Sequence, residues 1–405
     1  MQGAAEDIFA APAFTPLRQR WALGLSIFFA LLFLVGAIAV WHRFPDEFYS
    51  WTELMLSYAG GFMRRGLLGE LAWQLRHVIS PQLLLTALVW LAHTAVAIWF
   101  VRLVLGRPGL ASLMFLFSPA LLLLPLYDFE AFARKDAFIV LAVCLSISAA
   151  RHVRALGLAI ALIILAFTIA GLIHELAFFY MPLALVPIAL RLHHTRGPRA
   201  LWPLALGTAA YLALMLGFSI VFKGDAGDGA LMIETWRQLY PGAFSEWPGA
   251  FGFIGNSLGQ GLALQAFFVG RFQSWGAYGM GLLLTLLPLL LYLPGRGLDR
   301  HFDHRLLRIG LVLAIVSALM PFVIAGDWGR IINMFGLSLG ALVLSLRPTE
   351  AGPDADGWWR ASPGAFWAGW ALFGLYVLSW RIRHSSPEDI ALMPGTIFLI
   401  FGLAP

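Results

Sequence analysis

Cysteine, lysine and charge are what this 405-residue chain lacks. Its lone thiol, Cys144, has no partner in the chain, so a disulfide framework is excluded. Charged residues make up only 12% against 60% hydrophobic, with 16 Trp and 32 Phe, which excludes a disordered chain and an ordinary soluble domain alike. No internal repeat and no long polar domain is present. No acid, Lys or Arg falls in the middle of a long apolar run, and His93 is the one exception to this apolar rule. A transporter places ionisable groups near the bilayer midplane, so that absence weighs against one. The zinc-protease helix is excluded as well, because His174-Glu175 is followed by Phe178 where a second histidine is required. Lysine is confined to Lys135 and Lys223, a bias towards arginine that fits a GC-rich bacterial genome.

What is present is apolar sequence in lengths that match a membrane-crossing helix. Spans are predicted near 21–41, 82–103, 109–126, 136–150, 155–173, 176–191, 201–222, 276–294, 308–326, 331–346 and 362–380. Segment 252–270 is a further candidate, and the tail 390–405 reads as re-entrant or interfacial. The expected fold is all-α: a polytopic membrane helix bundle with about 10–13 membrane segments, forming one integral domain over 1–405. Ala37-Ile38-Ala39 fits a signal cleavage pattern, but the apolar stretch from Trp21 is too long for a signal core, so it reads as an uncleaved first helix.

With residues 1–20 inside, the inner loops carry 15 cations against 7 acids and the outer segments 12 against 15. Arginine-rich short loops stay cytoplasmic, so the N-terminus is expected there, in a bacterial inner membrane. The net charge of +5 is thereby a topology signal, and nucleic acid is not an expected partner. Two outer segments are longer than a connection needs. Segment 42–80 mixes apolar and polar residues like an interfacial helix after Gly60-Gly61. Segment 223–275 opens with KGDAGDGA and carries Trp247 and Trp275 about its apolar middle, where rings sit at headgroup level.

Five charged clusters fall on that outer side, and ionisable groups beside hydrocarbon mark a site. Arg64-Arg65 lies among Gly60, Gly61 and Gly66, which permit close backbone approach. Two adjacent guanidiniums suit phosphate oxygens; a headgroup anchor is the plainer reading. In FEAFARKD, Glu130 and Arg134 stand four apart and can pair on a helix. Asp136 suits a helix N-terminus, whereas Arg134 and Lys135 do not unless an anion or carboxylates hold them. His174-Glu175 offers an imidazole and a carboxylate able to orient a hydroxyl or a cation, or to tie two helices together. Asp327 and Arg330 are spaced for a local ion pair, with Trp328 between them as a ring to hold a sugar or phosphate. Asp46-Glu47, with Glu53 following, lies just beyond the first span, where a carboxylate can serve as general base for a hydroxyl at the headgroup plane. Asp136, Glu175 and Asp327 are rivals for that role. Spare carboxylates leave room for Mg²⁺ or Mn²⁺, although no ligand spacing demands either. Gly255 to Gly259 satisfies GxSxG, but its surroundings read as a glycine-rich apolar helix rather than a nucleophile turn.

Polar groups gathered at headgroup level suit an enzyme acting on a lipid-borne substrate. Outer cations would stabilise a departing lipid phosphate while a carboxylate deprotonates an incoming hydroxyl. At Asp46-Glu47 the chain resembles the GT-C glycosyltransferases, multi-span enzymes that take sugars from polyprenyl-phosphate carriers and hold an acidic residue in the outer loop after the first helix. The resemblance implies that this loop acid is the base. It also implies an outer-face transfer of a sugar from a polyprenyl-phosphate-linked donor to a glycan, lipid or protein acceptor, amid membrane lipids. GGFMRRG, FARKD, HE and DWGR resemble elements of bacterial envelope-glycan membrane proteins, O-antigen polymerases among them. The chain departs from better-known GT-C members in having no large soluble outer domain, so 42–80 and 223–275 must recognise the acceptor. A glycan polymerase using a polyprenyl-diphosphate donor and a lipid-linked-sugar flippase are the alternatives.

The orientation is checked by labelling in a Cys144→Ser background. Lys223→Cys should react with a membrane-impermeant maleimide in intact cells, and Arg199→Cys only after permeabilisation; the reverse pattern would invert the topology.

Overall fold

The computed structural model describes residues 8–9, 15–44, 49–106, 109–244, 248–254, 259–260, 263, 272–294, 296–349, 362–384 and 392–394. Helices account for most of it. In chain order they are α1 Pro16–Trp41, α2 Tyr49–Leu54, α3 Leu67–Gln74, α4 Pro81–Leu105, α5 Leu110–Leu116, α6 Leu124–Tyr127 and α7 Phe129–Phe132. They continue as α8 Asp136–His152, α9 Leu156–Ile173, α10 Ala177–Arg196, α11 Leu201–Val221 and α12 Ala226–Arg237. The remainder are α13 Phe272–Tyr292, α14 Arg305–Leu319, α15 Pro321–Ile324, α16 Trp328–Ser345 and α17 Pro363–Leu378. A two-stranded antiparallel ribbon, β1 Trp380–Ile382 and β2 Leu392–Pro394, is the departure from an all-α chain.

Three of the long helices begin in the same way. A Thr15, Ser80 or Ser362 hydroxyl accepts the N–H of Arg18, Leu83 or Ala365, and a proline follows in the first turn, where its missing N–H costs nothing. Among the described residues, seven helical stretches are long and apolar enough to cross a membrane: 16–41, 81–105, 156–173, 198–221, 275–292, 305–324 and 328–345. The chain is therefore a multi-pass helical bundle.

The expected count of ten to thirteen spans is not reached among the described residues, for local reasons. Segment 109–126 is not one helix. α5 stops at Leu116, Pro119 and Pro125 interrupt the residues beyond it, and the chain turns before α6. Its loose carbonyls are not left to lipid: the Asn333 amide of α16 donates to those of Ala120 and Leu121 at 2.9 and 2.8 Å. Irregular backbone at membrane depth is tolerable only when buried in protein, and residues 118–124 are buried throughout. Helix α8, with 17 residues, reaches only about 26 Å, short of the roughly 30 Å hydrocarbon core. It lies inside the bundle, packed on α9, α10, α16 and α4. Helix α17 has 16 residues. Of candidate 252–270, residues 252–253 close a 3-10 turn; most of the rest, and most of the GxSxG stretch, lie outside the described residues.

Helix α16 forms the centre. Nearly all of its residues are buried, and a side chain at Gly336 or Gly340 would run into Leu121 and Thr285 or the Phe115 ring. By contrast, only Leu201 and Ser219 of α11 are buried, as befits a helix facing lipid. The bundle has two ends. At one, Arg191 ties α10 to the carbonyls of Ala150, Val153 and Arg154 at 2.6, 2.9 and 3.1 Å. At the other, the start of α8, the α9–α10 turn, the start of α16 and the segment 49–66 meet.

Asn333→Leu removes the donor to the buried Ala120 carbonyl and one of two donors to that of Leu121, and should lower unfolding stability by about 1–3 kcal/mol. Denaturant titration in detergent measures it.

Candidate functional site

That second end holds a network of ionised side chains. Glu53, from the short helix α2, is 1% exposed. Its Oε2 accepts from Arg134 Nη1 at 2.9 Å, and its Oε1 lies 3.4 Å from His174 Nε2. The Arg134 guanidinium also sits 4.4 Å from the centre of the Tyr49 ring and 3.5 Å from Asp327 Oδ2. Asp327 accepts from Arg330 Nη1 at 2.8 Å, as its spacing predicts. Arg330 then forks onto both oxygens of Asp136 at 2.6 and 2.7 Å, which joins the starts of α16 and α8. Across the network, Arg65 forks onto both oxygens of Glu175, and Arg64 stands more loosely at 3.6 Å from the same carboxylate. Four guanidiniums and four carboxylates thus share one end of the bundle.

Backbone geometry at Arg65 is unusual. Its φ is +69°, a left-handed conformation that strains a side chain of this size. Lys135, fully buried, donates from Nζ to the Arg65 carbonyl at 2.6 Å and so holds that peptide in place. Glycines shape the same loop. Gly61 has φ +124°, and a side chain at Gly66 would overlap the Tyr58 ring. At the far side, a side chain at Gly329 would collide with the Arg383 carbonyl, which is why DWGR can accept the end of β1 across it.

Electrostatics follow from burial set against neighbours. Burial works to raise Glu53 and Glu175, but the guanidiniums of Arg134 and Arg65 prevail and hold both below the usual carboxylate range. The same contest, decided by Arg134 and Arg330, keeps Asp327 low. Burial pushes Lys135 down to about 7 and His174 down to about 4. His174 is therefore neutral at neutral pH. Its Nδ1 accepts the Leu176 N–H at 3.2 Å, which puts the proton on Nε2, facing Glu53.

Several expectations change. Arg134 does not pair with Glu130; α8 begins only at Asp136, so the two are not on one helix, and Arg134 reaches Glu53 instead. Trp328 is buried beneath Trp275, Tyr278 and Phe322, with its indole N–H donating to the Phe322 carbonyl at 3.0 Å, so it packs rather than presents a ring. Trp275, at 49% exposure, is the open ring there. Asp46 and Glu47 lie outside the described residues. Arg64, Arg65, Arg134, Lys135, Asp136, His174, Glu175, Asp327 and Arg330 do come together. Sequence reasoning underrated Glu53 and missed His384, whose Nδ1 and Nε2 lie 2.6 Å from Asp128 and 3.0 Å from Glu130. Among the described residues no three His, Cys, Asp or Glu side chains converge to hold a metal ion, so Mg²⁺ and Mn²⁺ gain no ligand set here. Arg134 keeps a buried Nε–H without a hydrogen-bond partner.

Compared with protein-family models, curated proteins and solved structures, the chain matches none.

Two outcomes test the network. Arg330→Met strands the buried Asp136 carboxylate and should cost about 3–5 kcal/mol, while Arg330→Met/Asp136→Leu should recover most of it; chemical denaturation separates the two. His384 carries a pH signature. Burial opposes its charge, but Asp128 and Glu130 prevail and raise its pKa. Its contribution is complete below the unfolded value of about 6.5 and is lost as pH rises through the higher folded value. Melting temperature should fall across that window, and His384→Gln should flatten the fall.

Proposed function

We propose that the chain is an integral membrane glycosyltransferase that moves a sugar from a polyprenyl-phosphate-linked donor to a hydroxyl of a glycan, lipid or protein acceptor. The outer face of a bacterial cytoplasmic membrane is the setting that its arginine asymmetry favours. One observation carries the reading: the ion network opens at its two flanks, onto Arg64 and Arg65 at one and Asp327 at the other. Their side chains are 29, 27 and 30% exposed, whereas Glu53, Asp136 and Glu175 are 1, 9 and 12% exposed. Cations for a phosphate and a reachable carboxylate for a hydroxyl are what this transfer needs.

In the reaction, the acceptor oxygen bonds to the anomeric carbon and its proton passes to the Asp327 carboxylate. The bond from that carbon to the phosphate oxygen breaks, and its electron pair stays on the phosphate, where Arg64 and Arg65 stabilise it. Arg134 and Arg330 keep Asp327 ionised between turnovers, Glu53 and Asp136 position those two guanidiniums, and Glu175 with Lys135 fixes Arg65. Asp46 and Glu47 remain rival bases through the GT-C resemblance. A flippase needs a polar path through the bilayer. Below the network, Phe33, Leu121, Leu124, Val140 and Leu337 close around a small cavity beside His93, Asp136, Arg330 and Asn333.

Native mass spectrometry of the purified protein tests the donor class. A co-purifying isoprenoid phosphate or its sugar adduct is expected, depleted in Arg64→Ala. Asp327→Asn should keep that lipid yet lower transfer by about 10²–10⁴-fold, with Asp46→Asn and Glu47→Gln as comparisons. Isoprenoid phosphate binding that ignores the arginines would sink the reading.

A further inference from the structure

Lys135 is the odd charge at this end of the bundle. The guanidiniums of Arg64, Arg65, Arg134 and Arg330 are matched by the carboxylates of Glu53, Glu175, Asp136 and Asp327, each within ion-pair distance of at least one of them. Lys135 is fully buried, and among the described residues no carboxylate pairs with it. Its hydrogen bond runs from Nζ to the neutral carbonyl of Arg65. An ammonium carries three donors, so two of them find no acceptor among the described residues. The charges facing it are Glu53 from α2, Arg65 from the loop before α3 and Glu175 from the α9–α10 turn, with Arg134 and Asp136 beside it in the chain. Glu53 is already held by Arg134, and Glu175 by Arg64 and Arg65. Beyond Arg64, Asp225 and Asp228 are engaged in capping α12. A buried amine on these terms, brought down to about 7, is present both as amine and as ammonium near neutral pH.

We propose that Lys135 takes up a proton when an anion seats on Arg64 and Arg65 and returns it when the anion leaves; this rests on the phosphate site of the transferase reading above. Two routes couple the events. The first is charge. An anion at Arg64 and Arg65 supplies the negative charge that the four carboxylates, already matched, do not, and it favours the ammonium over the amine. The second is geometry. Arg65 is held in a left-handed turn, and an ammonium is a stronger donor to its carbonyl than an amine, so the protonated form better holds the backbone that presents Arg65. The proton passes from water to the Nζ lone pair, and no bond to the ligand forms. Lys135 is therefore a positioning residue.

The test uses the full chain in detergent with farnesyl methyl phosphate, a diester whose single charge does not titrate between about pH 5.5 and 9. Calorimetry in buffers of different ionisation enthalpy should show about 0.5–1 proton taken up per probe bound at about pH 8, and less than about 0.2 at about pH 6. Affinity should be level below about pH 7 and fall above it by up to about tenfold per pH unit. Lys135→Met should abolish the uptake and keep affinity at its weak, high-pH level throughout, whereas Lys135→Arg should keep it near the strong level throughout. Binding without proton uptake at about pH 8, uptake that persists in Lys135→Met, or uptake that vanishes in His384→Gln instead, overturns the coupling. If the probe still depends on Arg64 in those cases, the phosphate site stands; if Arg64→Ala binds it as well as the wild type, or the wild type does not bind it, both fail.

Discussion

Burying charge is the constraint on which the rest of this molecule depends. An ionised carboxylate or guanidinium taken out of water costs several kcal/mol unless its partners surround it. Glu53, Arg134, Asp136 and Arg330 are all removed from solvent, so each must find its counterion to within a hydrogen bond. The counterions come from distant parts of the chain. The network therefore fixes where α2, α8, α10 and α16 begin relative to one another, and glycine at 329 is needed because the end of β1 must lie against the same helix start. The apolar packing below can be generic; the ionic end cannot.

Much of the fold was legible because the bilayer imposes one length scale. Runs such as 21–41 and 82–103 mark α1 and α4 closely. The misreading of 109–126 has a plain cause: hydropathy counts its leucines and ignores Pro119 and Pro125, and only the later Asn333 makes a broken segment acceptable there. The site was legible as a set, since most of its charges stand where arginine bias and apolar flanks disfavour them. Pairings were not legible. Glu130 and Arg134 have the spacing of a helical pair, but spacing is informative only once a helix is known to contain both. Glu53 stood out only as an acid following Asp46-Glu47, because nothing local marks it as buried; its partners are 81 and 121 residues away. His384 was silent for the same reason.

The network also separates two kinds of residue that a sequence cannot tell apart. Arg134 and Arg330 are enclosed and hold other charges; Arg64 and Asp327 are open and meet whatever approaches. Local sequence gives the three arginines much the same look, each within two residues of a glycine or an aspartate. Their difference lies in how the helix ends tilt them towards the interior or the rim, and the left-handed turn at Arg65 is part of that sorting.

The break in the chain after α5 carries a consequence for how the protein is made. A membrane helix that satisfies its own backbone can leave the translocon as soon as it is complete. The turn at Ala120 and Leu121 cannot, because the side chain that completes those carbonyls lies 212 residues beyond Leu121. At bacterial elongation speeds of about 5–20 residues per second, that is a wait of roughly 10–40 s. For that interval the first third of the molecule must keep an unfinished segment sheltered, at the insertion machinery or among its own early helices. Completion of that turn thus waits on the arrival of one asparagine rather than on the insertion of any single span.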